Sequence, residues 1–274
     1  LCARGHEALY FPTRDFVFMN VTSSHDTERE RLSVLCRLLT GEPVTVVTTP
    51  FAALTRTVPP SVLAEHALTL RVGDEIAPAT LAERLLRMGF APVVQVEGVG
   101  QFARRGGILD LYPAGAEAPV RLEFFGDEID RLEHFDPISQ RVTEPADALA
   151  LFPARECLYD GEGRARMKEA HKALIGKADA DAFLSLSGEL ALLEGEGDVP
   201  FADRYIGLLY PEFATLLTYF TERVAVLLPG DSDSAETVGA RILRLTEEAS
   251  TLVERGLLAS RYADFCAPYS ELTA

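Results

Sequence analysis

The stretch Gly100-Gln-Phe-Ala-Arg-Arg-Gly-Gly-Ile-Leu-Asp-Leu-Tyr-Pro113 decides the reading of this chain, together with Pro119-Val-Arg-Leu-Glu-Phe-Phe-Gly-Asp-Glu-Ile-Asp130 and Phe135-Asp-Pro137. Short alternating runs, Pro92–Val96, Gln101–Arg105, Ile108–Tyr112, Val120–Phe125 and Glu128–Phe135, follow one another with no helical pattern between them. Gly98/Gly100, Gly106-Gly107, Pro113–Pro119 and Gly126-Asp127 separate them, which is the pattern of an antiparallel sheet. Side chains alternate across a strand, so with Val120, Leu122 and Phe124 facing the core, Arg121, Glu123 and Phe125 share the opposite face. Arg121 and Phe125 then stand roughly 13 Å apart along one strand, with Arg105 at the end of a nearby one. Guanidinium groups and an aromatic ring on a polar sheet face have the composition of a protein-interface hot spot. A second reading stands beside it: Arg121 pairs with Glu123 or with an acid on a neighbouring strand, and Phe125 is covered by the module's own helix. Gly106-Gly107 reads as a turn or bulge rather than a binding loop.

Working outward, Leu68–Val72 alternates, Gly73-Asp74 turns, and Pro78–Met88 forms an amphipathic helix with Leu81, Leu85 and Met88 on one face, closed by Gly89. Upstream the grammar differs. Glu7–Phe11 reads as a short buried strand and Thr27–Leu39 as a helix behind a Ser/Thr/Asp-rich start. Val44–Thr48 is a β-branched run apolar on both sides, as parallel strands are, leading into a helical Pro50–Leu54. Downstream of residue 150 the pattern predicts helices over Glu162–Ile175, Asp181–Leu193, Phe213–Tyr219 and Ser232–Leu258, the last capped by Asp231-Ser-Asp-Ser. One apolar strand, Arg223–Leu228, is expected to join the upstream sheet. The expected organisation is α/β over residues 1–66, with a truncated start, an inserted α+β module with an antiparallel sheet over 67–149, and a mainly helical second part of the α/β domain over 150–274.

Composition narrows the function. The 274 residues carry 26 Lys+Arg against 42 Asp+Glu, a formal charge of −16, and a chain this acidic repels a phosphate backbone. Strong non-specific nucleic-acid binding by this chain alone is therefore not expected. No apolar run spans a bilayer and no signal peptide opens the chain, so the reading is cytoplasmic with no membrane partner; Leu1 in place of Met points to a piece of a longer protein. Cys2, Cys36, Cys157 and Cys266 are scattered, with no zinc-ligand spacing, and read as reduced thiols; no metal is expected. His25, His66, His134 and His171 lie far apart and beside no nucleophile motif. Asp127, Glu128 and Asp130 read as turn and surface acids rather than as ligands or an acid/base pair. Arg164, Arg166, Lys168, Lys172 and Lys177 form the most basic local stretch and read as the solvated face of a helix. No GxxxxGK[ST] occurs, so no catalytic residue and no cofactor are expected in this chain.

Arg105–Pro113 with Val120–Asp130 closely resembles the module shared by the UvrB excision-repair helicases and the transcription-repair coupling factors of the Mfd family. Leu70–Ile76, Thr40-Gly41 with Val44–Thr49, and Arg204-Tyr-Ile-Gly-Leu-Leu-Tyr-Pro-Glu212 also look like the coupling factors. A UvrB helicase carries a long Tyr-rich hairpin after its first strands, and here about a dozen residues separate Leu9-Tyr-Phe-Pro12 from the Thr27–Leu39 helix, which favours the coupling factors. The alternative is a fragment of a UvrB-type DNA-damage helicase. The resemblance implies a degenerate helicase-like α/β fold, a non-catalytic adaptor that recruits the repair ATPase UvrA, and a parent that is an ATP-dependent DNA translocase. ATP, RNA polymerase and double-stranded DNA would be handled by other parts of that parent, one of which could mask the docking face. Carried over by motif, the UvrA-contacting residues are Arg105, Arg121 and Phe125.

Overall fold

A computed structural model describes residues 8–14, 25–41, 44–159, 161–195, 199–220, 224–227 and 233–272. In chain order the elements are β1 (Ala8–Phe11), α1 (His25–Leu39), β2 (Thr45–Thr48), α2 (Pro50–Leu54), α3 (Pro60–His66), β3 (Leu68–Arg71), α4 (Pro78–Arg87), β4 (Ala91–Pro92), β5 (Gln101–Arg105), β6 (Ile108–Leu111), β7 (Val120–Phe125), β8 (Glu128–Phe135), β9 (Val142–Pro145), β10 (Ala148–Leu151), α5 (Gly161–Ile175), α6 (Ala180–Glu194), α7 (Ile206–Leu209) and α8 (Asp233–Glu254). They divide into two compact units: Leu1–Tyr10, Asp26–Val46 and Pro60–Leu158 in one, Phe11–His25, Val47–Pro59 and Tyr159–Ala274 in the other.

The first unit is built on a six-stranded sheet in the order β4-β5-β6-β7-β8-β9. Every pairing from β5 to β9 is antiparallel, and only the two-residue β4 runs parallel to its neighbour. One face of the sheet is apolar: Phe102, Leu109, Leu111, Val120, Leu122, Ile129 and Leu132 pack with Leu81, Leu85 and Met88 of the α4 region. α4 forms because its apolar positions recur at helical spacing and Pro78 occupies the first turn, where a missing N–H costs nothing. It ends at Met88, and Gly89 turns the chain at φ +83°. Nothing larger than Gly fits at 89: a Cβ would stand 2.8 Å from Cγ of Arg155. Burying Leu85 completely contributes about 2 kcal/mol or more, and Leu85→Ala adds a cavity to that loss.

β3 and β10 pair antiparallel with Leu68 opposite Leu151, so the two ends of the 68–151 stretch close on each other. Beyond that closure Glu156 is fully buried against Arg31 of α1, Nε to Oε1 2.6 Å, while its backbone N–H donates to Glu28 at 2.7 Å.

The second unit is mainly helical. α5 and α6 form a helical pair, with Asp179 capping α6 by accepting from Ala182 N at 2.9 Å. α6 buries Ala182, Leu186, Glu189 and Leu193, one stripe at helical spacing.

Several expectations are corrected. Pro92–Val96 is a strand only as far as Pro92: after Val93 N–H bonds Phe102 O, the chain leaves the ladder and folds Val96 onto Ala103 and Phe135. Phe213–Tyr219 is not an α-helix but a single 3₁₀ turn, Leu216–Tyr219, started by Thr215 and Thr218 capping one another. The apolar strand at 223–228 is absent over its described part: 224–227 is irregular and exposed, because a β-branched run becomes a strand only when a neighbour takes its backbone bonds, and no such neighbour exists among the described residues. β2, expected to be buried on both sides, pairs among the described residues with β1 alone and leaves Val47 exposed. The cap side chains at 231–234, most of the short stretch between Pro12 and Thr27, and Cys2 lie outside the described residues.

Candidate functional site: the polar face of the module sheet

Strand parity governs the face away from α4. Register places Ala103 opposite Asp110, Asp110 opposite Arg121, and Arg121 opposite Glu133, all on that face. One row further along, Arg105 lies opposite Ile108 and Ile108 opposite Glu123. Phe125 follows Glu123 by two residues on the same face. The parity of β7 is unbroken; the irregularity falls on β8, where Asp130 is the extra residue between Ile129, paired with Phe124, and Arg131, paired with Glu123.

The hairpin tips sit at one end of the sheet. Gly106 (φ +62°) and Gly126 (φ +66°) supply left-handed turn conformations, and Phe124 N–H donates to Gly107 O at 2.8 Å, drawing the two tips together. A Cβ at Gly107 would stand 3.2 Å from Phe124 O. Phe125, at the end of its strand, is 81% exposed. No helix of the module covers it, so of the two readings of this ring the outward one describes the structure.

The arginines are held more tightly than an open cation would be. Asp110, with its side chain fully buried, accepts from Arg121 Nε at 2.7 Å and Nη2 at 2.9 Å, and from Arg105 Nη2 at 2.7 Å. Arg121 does pair with an acid on a neighbouring strand, and that acid is Asp110. These bonds, aided by the negative charge nearby, raise the Arg121 pKa above its ordinary value despite partial burial. Its guanidinium also stacks 5.0 Å from the centroid of Phe135 and donates to Gln140 O at 3.4 Å, which leaves the side chain 15% exposed. Arg105 keeps 52% of its side chain in solvent. The three expected site residues therefore share one sheet face but not one exposure: Phe125 stands out, Arg105 is half presented, and Arg121 is mostly a strut.

Asp110 was not singled out in the sequence, although its signal was present. It lies between two core-facing leucines; the Gly106-Gly107 turn fixes the register that sets it beside Ala103, and the pairing of β6 with β7 across the 112–119 connection sets it beside Arg121. Val94 and Ile138, also missed, are almost fully exposed on two loops that Gln140 ties together, its Nε2 donating to Val96 O at 3.0 Å and Pro137 O at 2.7 Å.

The other candidates resolve into structure. Asp127 O accepts from Ile76 N–H at 2.7 Å, and Glu128 bridges to Glu75. Arg164 of α5 donates to Leu192 O and Gly195 O at the end of α6, where a cation meets the negative end of the helix dipole, and it stacks on Tyr159; this residue is a clamp rather than a solvated side chain. Lys172 and Lys177 are exposed. His171, which sequence spacing left isolated, is fully buried: Nε2 lies 2.8 Å from Glu189 Oε2, Nδ1 lies 3.0 Å from the Tyr205 hydroxyl, and Arg204 pairs with the other Glu189 oxygen. Glu189 occupies the apolar stripe of α6, and an acid in such a stripe was the signal to follow. Burial pushes Cys36 and Cys266 up, Cys266 to about 12, so both stay thiols at neutral pH. Among the described residues no group of three or more His, Cys, Asp or Glu is arranged to hold a metal, and no helix is long and apolar enough to cross a membrane.

Residues 68–157 match the family described as the UvrB interaction domain. Over 233 residues, 80% of this chain and 20% of the relative, the chain is 32% identical to the transcription-repair-coupling factor of Bacillus subtilis (strain 168). Identity is 40% over 131 residues, 48% of this chain and 11% of the relative, with the transcription-repair-coupling factor of Escherichia coli (strain K12). It is 28% over 167 residues, 61% of this chain and 25% of the relative, with the UvrABC system protein B of Thermosipho africanus (strain TCF52B). The chain spans a fifth or less of the length of these two coupling factors. The sheet module matches the UvrB interaction domain family, and it sits in a chain similar, over most of its length, to part of the transcription-repair-coupling factors.

Proposed function

We propose that this chain is the UvrA-docking adaptor of a transcription-repair coupling factor, with Phe125, Arg105 and Arg121 on the contacted face. The observation that carries the reading is the Phe125 ring, 81% exposed on a sheet face whose neighbouring cations are fixed, within a domain that matches the UvrB interaction family. A large ring left in water on the same sheet face as ordered guanidinium groups gives a partner apolar area and directional bonds at low entropic cost. The adaptor itself carries out no chemistry and needs no cofactor. The parent is an ATP-dependent DNA translocase that engages RNA polymerase and double-stranded DNA through other domains, one of which can cover this face. The α/β part around the module is a degenerate helicase-like domain. Identities of 32% and 40% with the two coupling factors, against 28% with the UvrABC system protein B, support this over a UvrB-type helicase.

The test is direct. The purified chain should form a complex with UvrA, and Phe125→Ala should weaken it by about 2 kcal/mol or more, roughly thirtyfold in Kd, as for an interface hot spot. A chain that does not bind UvrA, or whose affinity ignores both Phe125→Ala and Arg105→Ala, overturns the assignment.

A further inference from the structure

We propose that Asp110 is a positioning residue of the docking face: its buried carboxylate anchors Arg105 and Arg121 in fixed orientations before any partner arrives, so that the outer edge of Arg105 is presented, preset, in the row beside Phe125. This rests on the docking reading above and adds to it the group that sets the geometry.

Three observations lead there. Asp110 lies mid-strand in β6, fully buried, and spends both carboxylate oxygens on guanidinium groups, Oδ1 on Arg121 and Oδ2 on Arg121 and Arg105. Burying a carboxylate this way does not improve on apolar packing, because desolvating the charges offsets most of their attraction. What it does achieve is orientation. The two cations it fixes are exposed unequally: Arg121 is locked from three sides, by Asp110, the Phe135 ring and Gln140 O, whereas Arg105 is held through one Nη2 and leaves 52% of its side chain to solvent. Asp110 with its two guanidinium groups carries +1 by itself, on a face that also holds Glu133 opposite Arg121 and Glu123 in the row of Arg105, and the part of that positive charge open to solvent is the outer edge of Arg105. The group that fits there is a carboxylate on the partner, approaching next to an apolar pocket that receives Phe125.

Ordering of Arg105 is measurable without a partner. In the unaltered chain, ¹⁵N relaxation at the guanidinium Nε should show Arg105 ordered well above Arg104, its exposed neighbour, and nearer to Arg121. Arg105 as mobile as Arg104 overturns the proposal. With UvrA present, Asp110→Asn, which keeps the shape and removes the charge, should weaken binding roughly three- to tenfold, the effect of leaving one or two long side chains to be ordered on docking. Adding Arg105→Ala to Asp110→Asn should then cost little more, whereas Arg105→Ala costing the same with and without the Asp110 carboxylate overturns the proposal. Should Asp110→Asn fail to melt cooperatively, the relaxation measurement on the unaltered chain decides alone. If the unaltered chain binds no UvrA, it is the docking reading that fails, and the relaxation result still shows whether Asp110 holds its two cations.

Discussion

The chain builds the same chemical device twice and uses it in opposite ways. On the module sheet one buried carboxylate, Asp110, takes two guanidinium groups, and in the helical unit one nearly buried carboxylate, Glu189, takes Arg204 and His171. In the helical unit every partner is inside: His171, Arg204 and Tyr205 are buried, with His171 packed against the Phe201 and Tyr205 rings at centroid distances of 5.3 and 5.2 Å. On the sheet one of the two cations reaches solvent, and an exposed ring stands in the next rows. The difference follows from the scaffolds. A helix stripe enclosed by other helices returns its polar group to the interior, whereas the second face of β5–β8 is covered only in part, by the small cluster of Val96, Ala103 and Phe135, and stays open at the Arg105 end. A buried ion network is therefore no sign of function by itself; its open side is.

Removing the carboxylate that has no open side should have the largest effect. Glu189→Ala leaves Arg204 buried without its charge partner, and such a loss costs about 3–5 kcal/mol, read as a fall in the denaturant midpoint of the helical unit. A loss under about 1 kcal/mol would mean that the Glu189 network is as dispensable as a surface pair, and the contrast would fail. Acid gives a second, graded version of the same test. Burial pushes the Glu189 carboxyl up, but the His171 hydrogen bond and the nearby Arg204 charge outweigh it, so the folded value lies below the ordinary 4.5. A carboxyl depressed on folding contributes stability that is complete above its unfolded value and is lost as pH falls through its folded value. Stability of the helical unit should therefore decline below about pH 4.5. In Glu189→Gln that part of the pH dependence should vanish, and parallel pH curves for the two proteins would remove the network as its source.

These two networks also mark the limit of what the sequence discloses. β7 and β8 begin and end where the residue pattern places them, at Val120–Phe125 and Glu128–Phe135, because alternation and the Gly126-Asp127 turn are local signals. α4 is equally plain, for its apolar spacing and terminal Gly89 lie within a dozen residues. The pairing of β3 with β10 is a long-range closure that no local signal encodes, and it goes unread for that reason. Val224–Leu227 shows the converse, a strand-like run that stays irregular because strand formation belongs to the pair and not to the segment. At the site, parity alone sets Arg121 and Phe125 on one face, but exposure depends on Asp110 and on Phe135, which arrive from β6 and the far end of β8. Register arithmetic reaches the first of these once the turn is known; the second depends on how Gln140 and the 93–97 segment fold over the sheet edge.

The smallest expected effect discriminates best between the two devices. Phe125→Ser removes a ring that is 81% exposed, so folding stability should change by no more than about 0.5 kcal/mol, the range of ordinary surface substitutions. Arg105→Ala should cost slightly more, up to about 1 kcal/mol, because it gives up one charge-assisted bond while Arg121 still satisfies Asp110 through two. Both substitutions should nonetheless reduce UvrA affinity, so the loss appears in binding and not in the melt. If Phe125→Ser lowered the denaturant midpoint as Glu189→Ala does, the ring would be part of the interior, and the sheet network would be a second structural clamp with no outward side. Stability kept and affinity lost at Phe125, against stability lost at Glu189, would instead establish that open geometry, rather than ion-pair chemistry, separates the docking face from the helical core.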